Sequence, residues 1–262
     1  YLDATKLRDV DLIVELIGGA EGPAKKLVFE ALRNKKNVVT ANKALISKYG
    51  DKLAKIAETN KVNLEFEASV CGGVPIIRSL KESFIANKIS KIYGIFNGTS
   101  NYILSSMDKL DSSFDKVLSD AKRLGYAEAN PTADLNGDDV ASKLKILSSL
   151  CFNSFLSNNI YVEGIKEIDK VDIDNSNKLG YKIKLLGFTE LLNNKIYQRV
   201  HPTLIKKNSY VASIDGVLNA VIVDGKPVGQ SIIQGEGAGA AATTSALISD
   251  ISSILRGNIK FP

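Results

Sequence analysis

Residues 125–143, GYAEANPTADLNGDDVASK, bring four carboxylates and a lysine into one short stretch. Glu128 and Asp134 stand among the turn formers Asn130, Pro131, Asn136 and Gly137, and Asp138 and Asp139 open the apolar helical run that follows. Lys143 comes four residues after Asp139, so the two side chains share one helix face. Two readings stand side by side. One is a solvated ion pair at a helix start rich in acids. The other is a wet acidic entrance onto a buried helix, the form of a small site for an amine or an alcohol. Asp134 and Asp138 either take part in that site or cap the helix.

The elements that must position these residues alternate in the first part of the chain. A buried strand at 10–17 ends in a glycine turn, and Glu21 to Asn34 is predicted helical from Ala24, Leu27, Val28, Ala31 and Leu32 at helical spacing. NVVTANK (37–43) is a predicted strand with a polar tip, Ser47 to Asn60 a helix with apolar Leu53, Ile56 and Ala57, and 62–70 a further strand. Strands alternating with helices imply a parallel sheet with right-handed crossovers, part of a doubly wound domain. After Cys71 the texture changes. Helices are predicted at 75–86, 100–108, Phe114 to Leu124 and Val140 to Phe152, with a strand at 89–98. Strands in 159–168, 184–205 and 217–235, with turns at Asn193-Asn194 and Asp224-Gly225, make this a mixed α+β domain with a largely antiparallel face.

The chain has 262 residues, enough for one large core or two modest ones. Its apolar fraction of 44% and charged fraction of 24% are those of an ordinary globular protein. No apolar run has the length of a membrane span and no signal-peptide pattern opens the chain, so neither a membrane nor export is expected. Cys71 and Cys151 read as reduced thiols of a cytoplasmic protein. The net charge of +5 comes from scattered lysines without a basic stripe, so no nucleic-acid partner is expected. The chain opens on Tyr1, and no G-x-G-x-x-G turn precedes Val10, where a dinucleotide-binding domain carries one. A fragment or processed chain without the pyrophosphate-cradling half is the expectation.

Smaller features add candidates. Lys43 stands at the expected tip of a parallel strand, where ligands of doubly wound sheets lie, or is a plain exposed loop lysine. GEGAGAAAT (235–243) places glycines ahead of a helix N-terminus, which attracts an anion or permits close helix packing. EASVCGGVP (67–75) has a carboxylate followed by small residues that can turn carbonyls toward a hard cation, or is a glycine turn joining strand to helix. Thr99 bonds substrate or nicotinamide, or else Thr99 or Ser100 caps a helix. His201, the one histidine, has no neighbouring metal-ligand pattern and reads as structural.

Taken in order, VELIGG (14–19), TANKALI (40–46), FEASVCGGVPII (66–77), GIFNGTSNYIL (94–104), RVHPTLI (199–205), GEGAGAAAT (235–243) and the run GYAE, Pro, D-x-x-G-x-D-x-x-x-K resemble the homoserine dehydrogenase family along nearly the whole chain. The resemblance implies an α/β fold, with a partial doubly wound, Rossmann-like nucleotide domain and a mixed α+β substrate and oligomerisation domain. On it, residues 1–70 are the remaining part of the nucleotide domain and 71–234 the substrate domain. Residues 235–262 return to the nucleotide domain. No appended sensor domain is expected.

The implied activity is NAD(P)-dependent interconversion of L-homoserine and L-aspartate 4-semialdehyde, NAD or NADP being left open. Hydride transfer between alcohol and aldehyde needs a proton on the same oxygen, and a desolvated lysine can supply it near neutrality. The resemblance makes Lys143 that residue, Glu128 and Asp139 the homoserine-binding acids, and Ile17, Gly18, Lys43 and Gly239 cofactor contacts. A monovalent cation, sodium, is implied at Glu67, Val70, Gly72 and Val74, with only Glu67 offering a side chain. A homodimer or homotetramer joined through the substrate-domain sheet is also implied. The alternatives are another amino acid dehydrogenase on this scaffold and a noncatalytic fragment keeping the oligomer surface.

Overall fold

The computed structural model describes residues 1–152 and 160–257. The chain forms two compact units, Tyr1–Ile85 with Gly239–Pro262, and Ala86–Ala238. In the first unit, β1 (Leu12–Glu15), β2 (Asn37–Thr40) and β3 (Leu64–Glu65) form a parallel sheet in the order β1-β2-β3. The crossovers are α1 (Pro23–Arg33) and α2 (Lys43–Asn60). Helix α1 starts where Gly22, at φ +76, precedes Pro23 at the first helical position, and it buries Ala24, Leu27, Val28, Ala31 and Leu32. These are the five residues whose spacing predicts the helix. A last helix, α9 (Ala240–Leu255), packs on β2 and on the 3₁₀ turn Glu67–Ser69.

Two expectations in this unit are corrected. The strand expected at 37–43 ends at Thr40, because Asn42 accepts the Leu45 N–H at 3.0 Å and starts α2 four residues before the predicted Ser47. Lys43 is therefore the first residue of a helix rather than a strand tip. The strand expected at 62–70 is only Leu64–Glu65. The Glu67 carboxylate instead accepts the N–H groups of Ile77 (2.8 Å) and Arg78 (2.7 Å), which turns the chain back on itself through Cys71 (φ 56) and Gly72 (φ 48). The helix expected at 75–86 is α3 (Ile76–Arg78) followed by the π-helical turn Ser79–Ser83.

The second unit holds a six-stranded sheet in the order β5-β7-β6-β4-β8-β9, antiparallel except for the β5–β7 pair. Its strands are β4 (Lys88–Ile95), β5 (Tyr161–Val162), β6 (Tyr181–Leu192), β7 (Lys195–Lys206), β8 (Leu218–Lys226) and β9 (Gly229–Glu236). Its helices are α4 (Gly98–Leu110), α5 (Phe114–Arg123), α6 (Thr132–Asn136), α7 (Asp138–Phe152) and α8 (Lys170–Lys178). The β6–β7 hairpin turns at Asn193 and Asn194, both with positive φ, as expected of a tight two-residue turn. The next hairpin turns at residues 226–228 rather than at Asp224-Gly225. Pro227 cannot donate to a ladder, while Asp224 and Gly225 pair with Gln230 and Gly229. Helix α8 has no apolar period to announce it; Asp169 and Asp172 start it as a reciprocal capping box. In the segment 159–168, expected to hold a strand, only Tyr161–Val162 is one, and Asn159 lies outside the described residues.

Helices α4, α7 and α8 pack on β6. Gly187 makes the approach of α7 possible, since a Cβ there would lie 2.8 Å from the Phe96 ring and 3.0 Å from Val140. Leu186, next to Gly187 and so on the opposite face of β6, joins Ile95, Val211, Ile214, Ala220 and Ile222 in a buried cluster.

The first unit buries two carboxylates close together. Asp250 accepts the Glu67 N–H at 3.0 Å and pairs with Arg78 at 3.1 Å. Burial pushes Glu67 up to about 7 against the N–H groups of Arg78 and Ile77, and burial pushes Asp250 up to about 6. A carboxyl whose folded pKa is raised stabilises fully below its unfolded value and loses that contribution as pH climbs through the folded one. Thermal unfolding followed by circular dichroism should therefore give a melting temperature that falls between pH 5 and 8. The slope should reach about 1.4 kcal/mol per pH unit for each group titrating. Glu67→Gln should flatten it, and a wild-type melting temperature constant across this range contradicts the reading.

Candidate active site

In the second unit, the loop and helix starts around α7 gather polar groups into one buried cluster. Gly137, at φ +88, separates α6 from α7 and lets Asp138 and Asp139 begin the new helix. One turn on, Lys143 is 8% exposed, with Nζ 2.8 Å from Asp139 Oδ2 and donating to the Phe96 carbonyl at 2.7 Å. The i,i+4 pair is therefore a buried one and not a solvated helix pair. Asp139 is buried as well. Burying an ammonium is tolerable only when anions and acceptors replace its water, and here a carboxylate and a main-chain carbonyl do so.

Asn97 completes the arrangement, although no local pattern in the sequence singles it out. Its side-chain oxygen accepts the Ser100 N–H at 2.7 Å and so caps α4. That fixes which way the amide points. The NH₂ group donates to Asp134 Oδ1 at 2.7 Å and to Asp139 Oδ2 at 2.9 Å, joining carboxylates from α6 and α7. The cap expected of Thr99 or Ser100 thus belongs to Asn97. The Thr99 hydroxyl donates to the Tyr126 carbonyl at 2.7 Å, tethering the loop that carries Glu128. The Tyr126 ring packs on Tyr102 at 4.9 Å between centroids. Glu128 itself is exposed on that loop.

Burial alone does not mark Lys143 out, since Lys184 is 1% exposed. Its three N–H donors meet Asn101 Oδ1 (3.0 Å), the Ile214 carbonyl (2.6 Å) and Asp215 Oδ1 (2.8 Å). Burial lowers its pKa, and the bond to Asp215 works against that. Asn101 also donates to the Ile214 and Leu218 carbonyls, so Lys184 is part of a clamp on the segment 214–218. His201 stacks on Phe188 at 5.8 Å in the sheet. Among the described residues, no group of three or more His, Cys, Asp or Glu is placed to hold a metal ion.

The first unit contributes a separate set. Ile17 and Gly18 follow β1, Ile17 exposed and Gly18 at φ +82 with open space where a Cβ would be. Lys43 is half-buried at the start of α2. Gly239, at φ +102, is the N-cap residue of α9 and makes no side-chain cap bond there. The implied cation ligands Glu67, Val70, Gly72 and Val74 lie along the turn before α3. The Glu67 side chain there is already engaged by the Ile77 and Arg78 N–H groups.

Comparison with known proteins places the chain in a family. The family profile described as homoserine dehydrogenase matches residues 75–252, and that described as homoserine dehydrogenase, NAD binding domain, matches residues 2–67. The chain belongs to the homoserine dehydrogenase family. It is 48% identical to a homoserine dehydrogenase of Neisseria gonorrhoeae, over 95% of this chain and 57% of that protein. It superposes on a homoserine dehydrogenase structure from Thiobacillus denitrificans with a TM-score of 0.93 and 46% identity, over 97% of this chain and 58% of that one. A hyperthermophilic archaeal homoserine dehydrogenase in complex with NADPH matches at a TM-score of 0.83 and 26% identity, over 96% of this chain and 73% of that one. The chain thus spans a little over half the length of the first two homoserine dehydrogenases.

Asn97 offers a direct check on the buried cluster. Asn97→Ala should cost about 1–3 kcal/mol, a lost cap plus a lost donor between two carboxylates. Asn97→Asp keeps the cap acceptor but sets a third carboxyl beside Asp134 and Asp139. Its melting temperature at pH 8 should fall below that of Asn97→Ala and recover toward pH 5. An Asn97→Asp protein as stable as the wild type at pH 8 would show that no amide bridges the acids.

Proposed function

We propose that this chain carries the proton-transfer and substrate groups, with part of the dinucleotide seat, of an NAD(P)-dependent homoserine dehydrogenase. The reaction is the interconversion of L-homoserine and L-aspartate 4-semialdehyde, in the cytoplasmic synthesis of threonine and methionine. The observation that carries this reading is the Lys143 ammonium, buried between Asp139 and the Phe96 carbonyl in a chain of this family.

When bound, the reduced dinucleotide would supply the hydride for aldehyde reduction and the oxidised one would accept it in alcohol oxidation. The chain's own residues handle the rest. In aldehyde reduction Lys143 Nζ gives a proton to the oxygen that becomes the hydroxyl, and in alcohol oxidation it takes that proton back. Asp139 and the Phe96 carbonyl hold Nζ in place, and Asn97 holds Asp139. Glu128 and Asp139 are the acids for the homoserine ammonium and hydroxyl, with Thr99 acting through its bond to the loop that carries Glu128. For the dinucleotide, Ile17 and Gly18 present an exposed, sterically open strand end, Lys43 a cation at a helix start and Gly239 an uncapped helix N-terminus. These features fit such a ligand. A sodium ion would be met by the main-chain oxygens of Glu67, Val70, Gly72 and Val74. Neutral carbonyls suit a monovalent ion, and the Glu67 carboxylate shapes the turn from within. Copies of the chain would join as a dimer or tetramer through the sheet of the second unit.

In the full-length protein, Lys143→Ala should cut kcat by roughly 10²–10⁴-fold while leaving NAD(P)H affinity nearly intact. Lys43→Ala should weaken cofactor binding first, and Glu128→Gln should raise the homoserine KM with little change for the cofactor. Circular dichroism must confirm each fold, because removing Lys143 leaves Asp139 a buried carboxylate without its cation. A folded Lys143→Ala enzyme with near-normal turnover, beside an inactive Lys43→Ala enzyme, would transfer the proton role to Lys43.

A further inference from the structure

Glu15 is an acid in an otherwise apolar strand, and it is fully buried. One carboxylate oxygen accepts the N–H groups of Ile17 (2.7 Å) and Gly18 (2.9 Å), and the other accepts the Thr40 hydroxyl at 2.6 Å. Thr40 Oγ1 in turn accepts the Asn42 N–H at 2.9 Å, and the Asn42 side chain donates to the Gly19 carbonyl at 2.8 Å. The ends of β1 and β2 and the start of α2 are thereby tied into one hydrogen-bonded ring around residues 16–19.

This ring decides what the strand end can bind. Backbone N–H groups at such a turn commonly hold a phosphate. Here those of Ile17 and Gly18 point inward to Glu15 and are engaged. Leu16 and Ile17, 61% and 55% exposed, and the open face of Gly18 remain on the outside. That surface is apolar and suits a flat, uncharged group better than a phosphate.

We propose that Glu15 and Thr40 are positioning residues. They hold residues 16–19 as a seat for the flat, uncharged dihydronicotinamide riboside end of the reduced dinucleotide and withhold the Ile17 and Gly18 N–H groups from phosphates. The proposal rests on the dinucleotide reading above.

The test uses the full-length protein and calorimetric titration with NADH or NADPH, whichever the wild type binds. The second titrant is the matching ADP-ribose or its 2′-phosphate, which lacks nicotinamide. Thr40→Val and Glu15→Gln should each weaken the dinucleotide about tenfold, the worth of one to two hydrogen bonds, and leave the ADP-ribose ligand unchanged. Thr40→Ser, which keeps the hydroxyl, should restore wild-type affinity. Should Thr40→Val not fold, the isosteric Glu15→Gln and the Thr40→Ser rescue still decide the matter. Equal losses for both titrants, or no loss for either, overturn the positioning role while leaving the dinucleotide reading intact. A wild-type protein that binds neither titrant overturns that reading and the proposal with it.

Discussion

An ammonium taken out of water must be given back its partners, and the second unit is organised around doing that for Lys143. Asp139 supplies the charge from one helical turn away and Phe96 supplies a carbonyl from the end of β4. Both depend on close packing. Phe96 sits where it does because residue 187 has no side chain, and α7 begins at Asp138 because Gly137 takes up a left-handed conformation. Asn97 then couples the start of α4 to α6 and α7 through a single amide. Removing any one partner takes a hydrogen bond from a buried charge or dipole, so stability and chemistry are linked here.

The first unit solves a similar problem with the opposite charge. Glu15 and Glu67 are both buried carboxylates that accept main-chain N–H groups, two and three residues on for Glu15 and ten and eleven for Glu67, and each sets the shape of a turn. At Glu15 the result is a strand end with its donors turned inward. At Glu67 it is a reversal through Cys71 and Gly72 that replaces the second half of an expected strand.

Periodic features were the legible part of the sequence. The α1 stripe, the two asparagines of the β6–β7 turn and the i,i+4 spacing of Asp139 and Lys143 follow from local geometry, and the structure keeps them. What stayed hidden depends on contacts distant along the chain or on the main chain itself. The Phe96 carbonyl has no sequence signature. Asn97 looks like any helix cap, and its second role needs acids 37 and 42 residues later. Glu67 reads as a strand residue until the N–H groups ten and eleven positions on are seen to meet it. Glu15 went unread for the same reason, since its Thr40 partner on the neighbouring strand and the inward turn of the Ile17 and Gly18 N–H groups appear only in the folded chain.

A double-mutant cycle on kcat across Asp139 and Lys143 most directly tests whether the buried pair acts as one proton-transfer unit. Asp139→Asn, Lys143→Ala and the double variant would be compared in the full-length protein, with folding confirmed for each. If Asp139 works through Lys143, the double variant should be no slower than Lys143→Ala alone. Losses that multiply, as for two independent residues, would contradict it.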